Sequence, residues 1–361
     1  MRLLQTAALV LAVVLCAPER LFAQPQDTSD AQDPPDQIPP SRLVLRAFGS
    51  VQWGRPEGPD SPNSFTLGQL DLFATSTLSE RISVIAEIVF EGGTDTRVVT
   101  DLERLQLTYL FNDHLSVSAG RYHTGIGFYN AAFHHGSYFE TLIGRPRIFE
   151  FEDEGGILPV HDVGVSARGT VPGTGSTFHY LAEVGNGRTW HATERQDEEG
   201  SKADLNSAKA ANAGISFRPD WWRGFELGAS VYWDTIPSDT LGPVAHRIGA
   251  AFATYRTPRV EVLAEWLVLT HNTDDLSYRN DGGYVQASRA WGKWRPYYRY
   301  DRLSIAAGTP FLGATESSET HVVGVRFEPS EWVGLKAQYE RGFLGTRRGI
   351  DGLRSELVFV F

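Results

Sequence analysis

Leu353-Arg354-Ser355-Glu356-Leu357-Val358-Phe359-Val360-Phe361 closes the chain, and its reading decides the fold. Leu353, Leu357, Phe359 and Phe361 share one parity, while Arg354 and Glu356 occupy the other. Successive side chains of a β-strand point to opposite faces, so the segment carries one apolar face and one charged face. Such a strand fits the edge of a soluble antiparallel sheet or the last strand of a membrane barrel. The rest of the chain separates the two.

From Ser41 onward the same two-residue period returns. Leu43, Leu45 and Ala47 alternate with Arg46; Ile82, Val84, Ala86 and Ile88 with Arg81 and Glu87; Leu105, Leu107 and Tyr109 with Arg104 and Gln106. Val163, Val165 and Ala167 oppose Arg168, and Tyr180, Ala182 and Val184 oppose Glu183. Ile248, Ala250 and Phe252 are set against Arg247, and Val260, Val262, Ala264 and Trp266 against Glu265. Tyr298 and Tyr300 oppose Arg299, and Val323 and Val325 oppose Arg326. Each segment is a weak signal by itself; persistence to the last residue makes it strong.

The connections fall into two classes that alternate. Short ones lie at 78–80, 112–114, 171–175, 219–224, 256–258, 292–294 and 328–332. Longer ones lie at 54–63, 92–97, 122–160, 186–206, 235–244, 271–281, 304–318 and 343–352. Seven short turns and eight longer loops join 16 strands, within a range of 14 to 18. The predicted fold class is therefore all-β, a transmembrane antiparallel barrel with short periplasmic turns and longer outer loops. Trp221, Trp222, Trp291, Trp294 and Trp332 gather at the short turns, where an aromatic girdle would meet the lipid headgroups. Hydrocarbon offers no partner to backbone polar groups, so a spanning sheet has to close on itself.

The amino terminus reads as an export signal. Arg2 precedes an apolar stretch from Leu3 to Ala17, and Leu21-Phe22-Ala23 offers a cleavage site, giving a signal peptide over 1–23. That core is shorter than the ~20 residues of a spanning helix. Cys16 is the only cysteine and lies inside the signal, so the mature chain has neither disulfides nor thiolate chemistry. Residues 24–40 hold five prolines and four aspartates without a basic residue, the composition of a disordered leader. The barrel then occupies 41–361. A formal net charge of -11 argues against nucleic acid as a partner.

Leu67-Gly68-Gln69-Leu70-Asp71-Leu72-Phe73 leading to Ile88-Val89-Phe90-Glu91 resembles the start of Gram-negative outer-membrane porins of the phosphate-selective (O/P-type) family. His161-Asp162-Val163-Gly164-Val165, Tyr284-Val285-Gln286-Ala287 and Arg295-Pro296-Tyr297-Tyr298-Arg299-Tyr300 are similar to that family too, so the likeness runs from Ser41 to Phe361. The resemblance implies a 16-stranded, homotrimeric diffusion channel whose longest loop folds inward. Phosphate-selective members line their path with basic residues. Here 122–160 departs from that pattern, with Glu140, Glu150, Glu152, Asp153 and Glu154 against Arg145 and Arg147.

By parity the pore-lining candidates are Arg46, Arg81, Arg104, Arg168, Arg247, Arg299, Arg326, Glu87, Glu183 and Glu265. The constriction candidates in 122–160 are Arg145, Arg147, Glu150, Glu152, Asp153 and Glu154. The aromatics of that loop argue against disorder and for packing on the inner wall. Leu357, Phe359 and Phe361 form the candidate insertion signal for the barrel-assembly machinery. The expected function is a porin passing small hydrophilic solutes or ions across the bacterial outer membrane, in contact with lipid and lipopolysaccharide. An outer-membrane hydrolase and a surface adhesin are the alternatives. No enzyme activity, cofactor or metal is expected: no G-x-S-x-G occurs, and adjacent His134 and His135 would point to opposite faces of a strand.

Overall fold

Alternation written into the chain produces the strands. β1 (Arg42–Gly54), β2 (Ser64–Ser79), β3 (Ile82–Gly92) and β4 (Val98–Asn112) come first. β5 (Leu115–His123), β6 (His161–Gly173), β7 (Ser176–Gly185) and β8 (Ala210–Pro219) follow. β9 (Phe225–Ile236), β10 (Val244–Arg256), β11 (Val260–Asn272) and β12 (Ser277–Arg289) make the third quarter. β13 (Trp294–Ser304), β14 (Ser318–Ser330), β15 (Val333–Leu344) and β16 (Arg347–Val360) complete the set. The computed structural model describes residues 42–54, 63–92, 98–133, 136–151, 156–188, 207–238, 240–312, 315–345 and 347–361. The expected signal peptide and leader lie outside these.

Each strand pairs antiparallel with its sequence neighbours, and β16 returns to β1, so the sixteen strands form a closed barrel. The closing ladder runs from Phe48 opposite Val360 to Trp53 opposite Ser355. Beyond it, Ala47 N–H donates to the Phe361 carbonyl at 2.9 Å, and Phe361 N–H returns the bond to Ala47 at 3.0 Å. No free sheet edge remains between the first and last strands.

The outer surface is apolar in a way water would penalise. Ile215 is 58% exposed, Val323 54% and Leu353 57%, with Leu107, Val165, Leu227 and Leu335 beside them on outward positions of neighbouring strands. Soluble monomers rarely show a contiguous apolar patch of more than a few hundred Å². Trp221, Trp222, Trp291, Trp294 and Trp332 are exposed at the short-turn end. Among the described residues no helix is long and apolar enough to cross a membrane.

The structure departs from the sequence expectation at four places. The connection expected at 271–281 is a hairpin over 273–276, because Asn272 still pairs with Ser277. Its ends are tied by Thr273, whose hydroxyl accepts from Leu276 N–H at 3.1 Å. The connection expected at 343–352 shrinks likewise, since Leu344 pairs with Arg347. Arg81 is not on a strand face; it sits in the tight turn between β2 and β3, where its N–H meets the Ser79 hydroxyl at 3.3 Å. Arg247 points outward and is exposed, while His246, Ile248, Ala250 and Phe252 of β10 are buried inside. The reversed parity of β10 has a physical cause: its inner face meets an apolar loop instead of water.

Candidate functional site

The described parts of the β5–β6 connection, 124–133, 136–151 and 156–160, pack against inward-facing residues of the barrel wall. It opens with Gly125 and Gly127, the latter at φ 72, a backbone state that favours glycine. Among its described residues, a short helix α1 (Tyr129–Ala132) and a 3-10 turn (Arg147–Phe149) are the only regular pieces. Its apolar side chains Ile126, Phe128, Tyr129, Ile148, Phe149, Ile157 and Leu158 join inward-facing Ile248, Phe252, Leu263, Leu267, Leu269, Tyr284 and Leu303 in one buried cluster. The inner faces of β10 to β12 are therefore largely packed against apolar side chains.

Polar anchors fix the loop where its backbone would otherwise be unpaired. At its start, Glu183 accepts from Gly125 N–H at 2.8 Å and the Ser230 hydroxyl from Gly127 N–H at 3.0 Å. Glu265 then accepts from Phe128 N–H at 2.6 Å, Tyr129 N–H at 2.8 Å and the Tyr284 hydroxyl at 2.6 Å. These donors include the orphan amides that begin any helix, here answered by a wall carboxylate. Further on, cations from three successive strands hold carbonyls. Arg299 donates to Gly144 and Arg145 at 2.9 and 3.0 Å, Arg326 to Tyr138 and Glu140 at 2.7 Å each. Lys336 Nζ donates to Ser137 and Leu142 at 2.7 and 2.9 Å. Gln338 both accepts from and donates to Ile143. Phe139 packs on Phe48 of β1 at 4.8 Å, so the loop reaches the closing seam.

Inside the loop, Arg145 donates to the Phe149 carbonyl at 2.6 Å and lies over the rings of Tyr129 and Phe151. Tyr129 donates its hydroxyl to Glu140 at 3.0 Å. Burial, then the Glu140 charge, pushes the Tyr129 phenol well above its ordinary value, so it remains a donor. Burial raises Glu140 as well, and Arg145 and Lys336 pull it back towards the charged form. Glu150 is raised by burial and opposed by Arg147, whose guanidinium lies 2.5 Å away. Glu152, Asp153, Glu154, His134 and His135 lie outside the described residues.

The sequence candidates thus divide by what they touch. Arg299, Arg326 and Glu265 face inward and are buried as seats of the loop. Arg104 and Glu87 are buried against each other across β3 and β4. Arg168 and Glu183 pair at 3.0 Å; the arginine side chain is 44% exposed and the carboxylate 2%. Arg218 repeats this with Glu226 at 2.8 Å, at 52% and 11% exposure. Arg46 is exposed and stands opposite inward-facing Phe73. Across β6 to β9, the heads of Arg168 and Arg218 project from the carboxylates of Glu183 and Glu226 tucked beneath them. Leu357, Phe359 and Phe361 share one parity, with Val358 inside. Parity in the sequence places Lys336 among the lumen cations but assigns no loop-seating role to it, to Gln338 or to Tyr284. The signal available was a donor or acceptor at matching inward positions of neighbouring strands.

Lys336 also pairs with Glu356 of the next strand at 2.7 Å, with side chains 0% and 1% exposed. Removing one member of a buried pair costs about 3–5 kcal/mol, because the other charge stays behind without its partner. Lys336→Met is expected to lower the denaturant midpoint accordingly, and Lys336→Met with Glu356→Leu to recover part of the loss. Equal midpoints for single and double variants would show that the pair is uncoupled.

No family model matches the sequence, and no curated protein is detectably similar to it. Solved structures do resemble the fold. Salmonella typhi OmpF, in complex with daunomycin, aligns with TM-score 0.60 at 12% identity, over 88% of this chain and 97% of that one. The outer membrane channel DcaP of Acinetobacter baumannii aligns with TM-score 0.59 at 14% identity, over 89% and 97%. An anion-selective porin from Comamonas acidovorans aligns with TM-score 0.58 at 11% identity, over 89% and 100%. At these identities the likeness establishes a shared closed sixteen-strand barrel.

Proposed function

We propose that this chain forms a water-filled channel in the bacterial outer membrane, through which small hydrophilic solutes or ions diffuse passively. The observation that carries the reading is the combination of an apolar belt outside with a charged wall inside a sixteen-strand closure. Barrels of ~16–18 strands leave room for an aqueous path, whereas eight-stranded ones fill with their own side chains. The described parts of 124–160 narrow that path by covering the wall from β9 round to β15 and reaching β1, leaving a slot on the opposite side. Opposed charges in the slot orient polar solutes and disfavour greasy ones. Lipid and lipopolysaccharide meet the outer belt, the assembly machinery reads the last strand, and the working form is a homotrimer, as one solved Vibrio cholerae neighbour is described.

Purified protein in planar bilayers is expected to give discrete conductance steps, and the native protein to run faster on gels unless boiled. Absence of steps, or recovery from cells as a soluble periplasmic protein, would overturn the reading. Within the channel, the exposed heads of Arg168 and Arg218 supply positive charge to the path. Replacing both with Gln is expected to move the reversal potential in a salt gradient towards cation preference. Phosphate belongs in the anion series tested, given the basic lining of the family that the sequence resembles. An unmoved reversal potential would place the two arginines off the conduction path.

A further inference from the structure

A separate cluster occupies the loop-side rim of β4, β5 and β6. β5 and β6 set His123 directly opposite His161. The β4–β5 ladder ends at Leu105 opposite Arg121, so Glu103 and His123 both lie two residues beyond it on the loop side. The three residues thus sit in a row across the ends of three adjacent strands, and the facing pair His123 and His161 stands ~4.5–5.5 Å apart. Two local irregularities serve the row. β4 bulges against β3: Ile88 pairs with Leu102 and Glu87 with Arg104, so Glu103 is the extra residue. A bulge of this kind re-aims the side chain it carries. On β5, Gly120 has φ 134, and a Cβ there would come within 1.9 Å of the Leu105 carbonyl, so the close approach of β4 needs glycine.

The side chains converge. His161 Nε2 lies 2.5 Å from Glu103 Oε2, and the two imidazoles meet edge to face with centroids 4.7 Å apart. One donor atom from each of Glu103, His123 and His161 falls within 4.8 Å of the other two. Glu103 and His123 are buried, and the Phe151 ring of the lumen loop stacks on His161 at 6.0 Å.

We propose that this row binds a divalent transition-metal ion of the zinc class. Two imidazoles and one carboxylate form a donor set that zinc accepts with its fourth position open to water or an external ligand. Imidazole nitrogens favour such ions over calcium or magnesium, which take oxygen ligands. Zinc holds nitrogen and carboxylate oxygen at roughly 2.0–2.2 Å, so tetrahedral neighbours stand about 3.4 Å apart. The donor atoms, now within 4.8 Å of one another, would have to settle at that spacing on binding. The site is independent of the channel reading and lies outside the loop seats described above. The sequence carries no metal motif because the three ligands come from separate strands, one of them a bulge residue.

The test uses the whole folded protein in detergent, stripped with a chelator and titrated with Co²⁺ and then Zn²⁺. About one tight equivalent per chain is expected, with the visible absorption of four-coordinate Co²⁺ that Zn²⁺ then displaces. His123→Gln and Glu103→Gln should each weaken binding by more than about tenfold, a loss that even supporting residues of metal sites can cause. His114→Gln, an exposed histidine at the opposite rim, should leave the titration unaltered. Heat-modifiable mobility reports whether each variant has assembled. A wild type that binds no more tightly than His123→Gln, or that never shows the four-coordinate spectrum, would overturn the proposal and leave a closed hydrogen-bonded cluster. The wild-type spectrum decides the matter even where a variant fails to fold.

Discussion

Phe149→Ala is expected to release the lumen loop from the wall while the barrel stays closed. Phe149 is 0% exposed, stacks on Tyr129 at 5.7 Å and meets Tyr284 edge-on at 6.3 Å. Deleting a buried phenyl ring costs about 3–5 kcal/mol through lost transfer energy and the cavity left behind. That cost falls on the loop, because Phe149 belongs to no strand and contributes nothing to the ladders. Wall cations still hold carbonyls, at about 1.5–3 kcal/mol for each charge-assisted bond, so the loop is loosened in its middle and stays tethered at Arg299, Arg326 and Lys336. Single-channel records should then show frequent steps to higher conductance where the wild type is quiet. Chymotrypsin should nick the loop aromatics, and the heat-modifiable transition should keep its temperature. A quiet record at wild-type conductance would mean that the polar anchors alone hold the seat.

How far such a seat can be foreseen depends on what each strand faces. β3, β4 and β6 were legible because their inner faces meet water or paired charge: Glu87, Arg104 and Arg168 mark the inside by polarity. β10 was not, because Ile248, Ala250 and Phe252 pack on the loop while Gly249 and Ala251 face outward, so hydrophobicity is greater inside than out. A period-two pattern fixes which residues share a face and leaves open which face is wet. The hairpin at 273–276 looks like a longer loop in sequence because Asn272, Ser277 and Asp281 are polar; they extend β11 and β12 beyond the apolar belt. The charges of 122–160 were visible, but their function was not. Arg145 is spent on Phe149, Tyr129 and Asn130 inside the loop, and Glu150 on Arg147, so neither side chain is simply a lining charge. Contacts between segments so far apart in sequence leave no local trace.

The largest effect on the amount of assembled protein is expected at the last residue. Phe361 completes the seam through two backbone bonds with Ala47, while its ring is 69% exposed on the outward face beside Phe359. Two ordinary hydrogen bonds contribute about 1 kcal/mol each, and moving a phenyl ring into lipid adds about 1.5–3 kcal/mol. Phe361→Asp keeps both backbone bonds, so its thermodynamic penalty should be modest for a closed ladder of sixteen strands. If the terminal ring is also what the assembly machinery reads, the two readouts separate. Folded protein recovered from cells should fall several-fold for Phe361→Asp, whereas protein refolded directly into detergent should lose little stability, on the order of 2 kcal/mol. Arg354→Gln provides the contrast. Its guanidinium faces inward, bridging Glu340 and Gln52 at 3.3 and 3.2 Å, so it should perturb the lining and leave cellular assembly near wild type. Parallel losses in cells and in detergent for Phe361→Asp would reduce the residue to a seam contact and remove the recognition role.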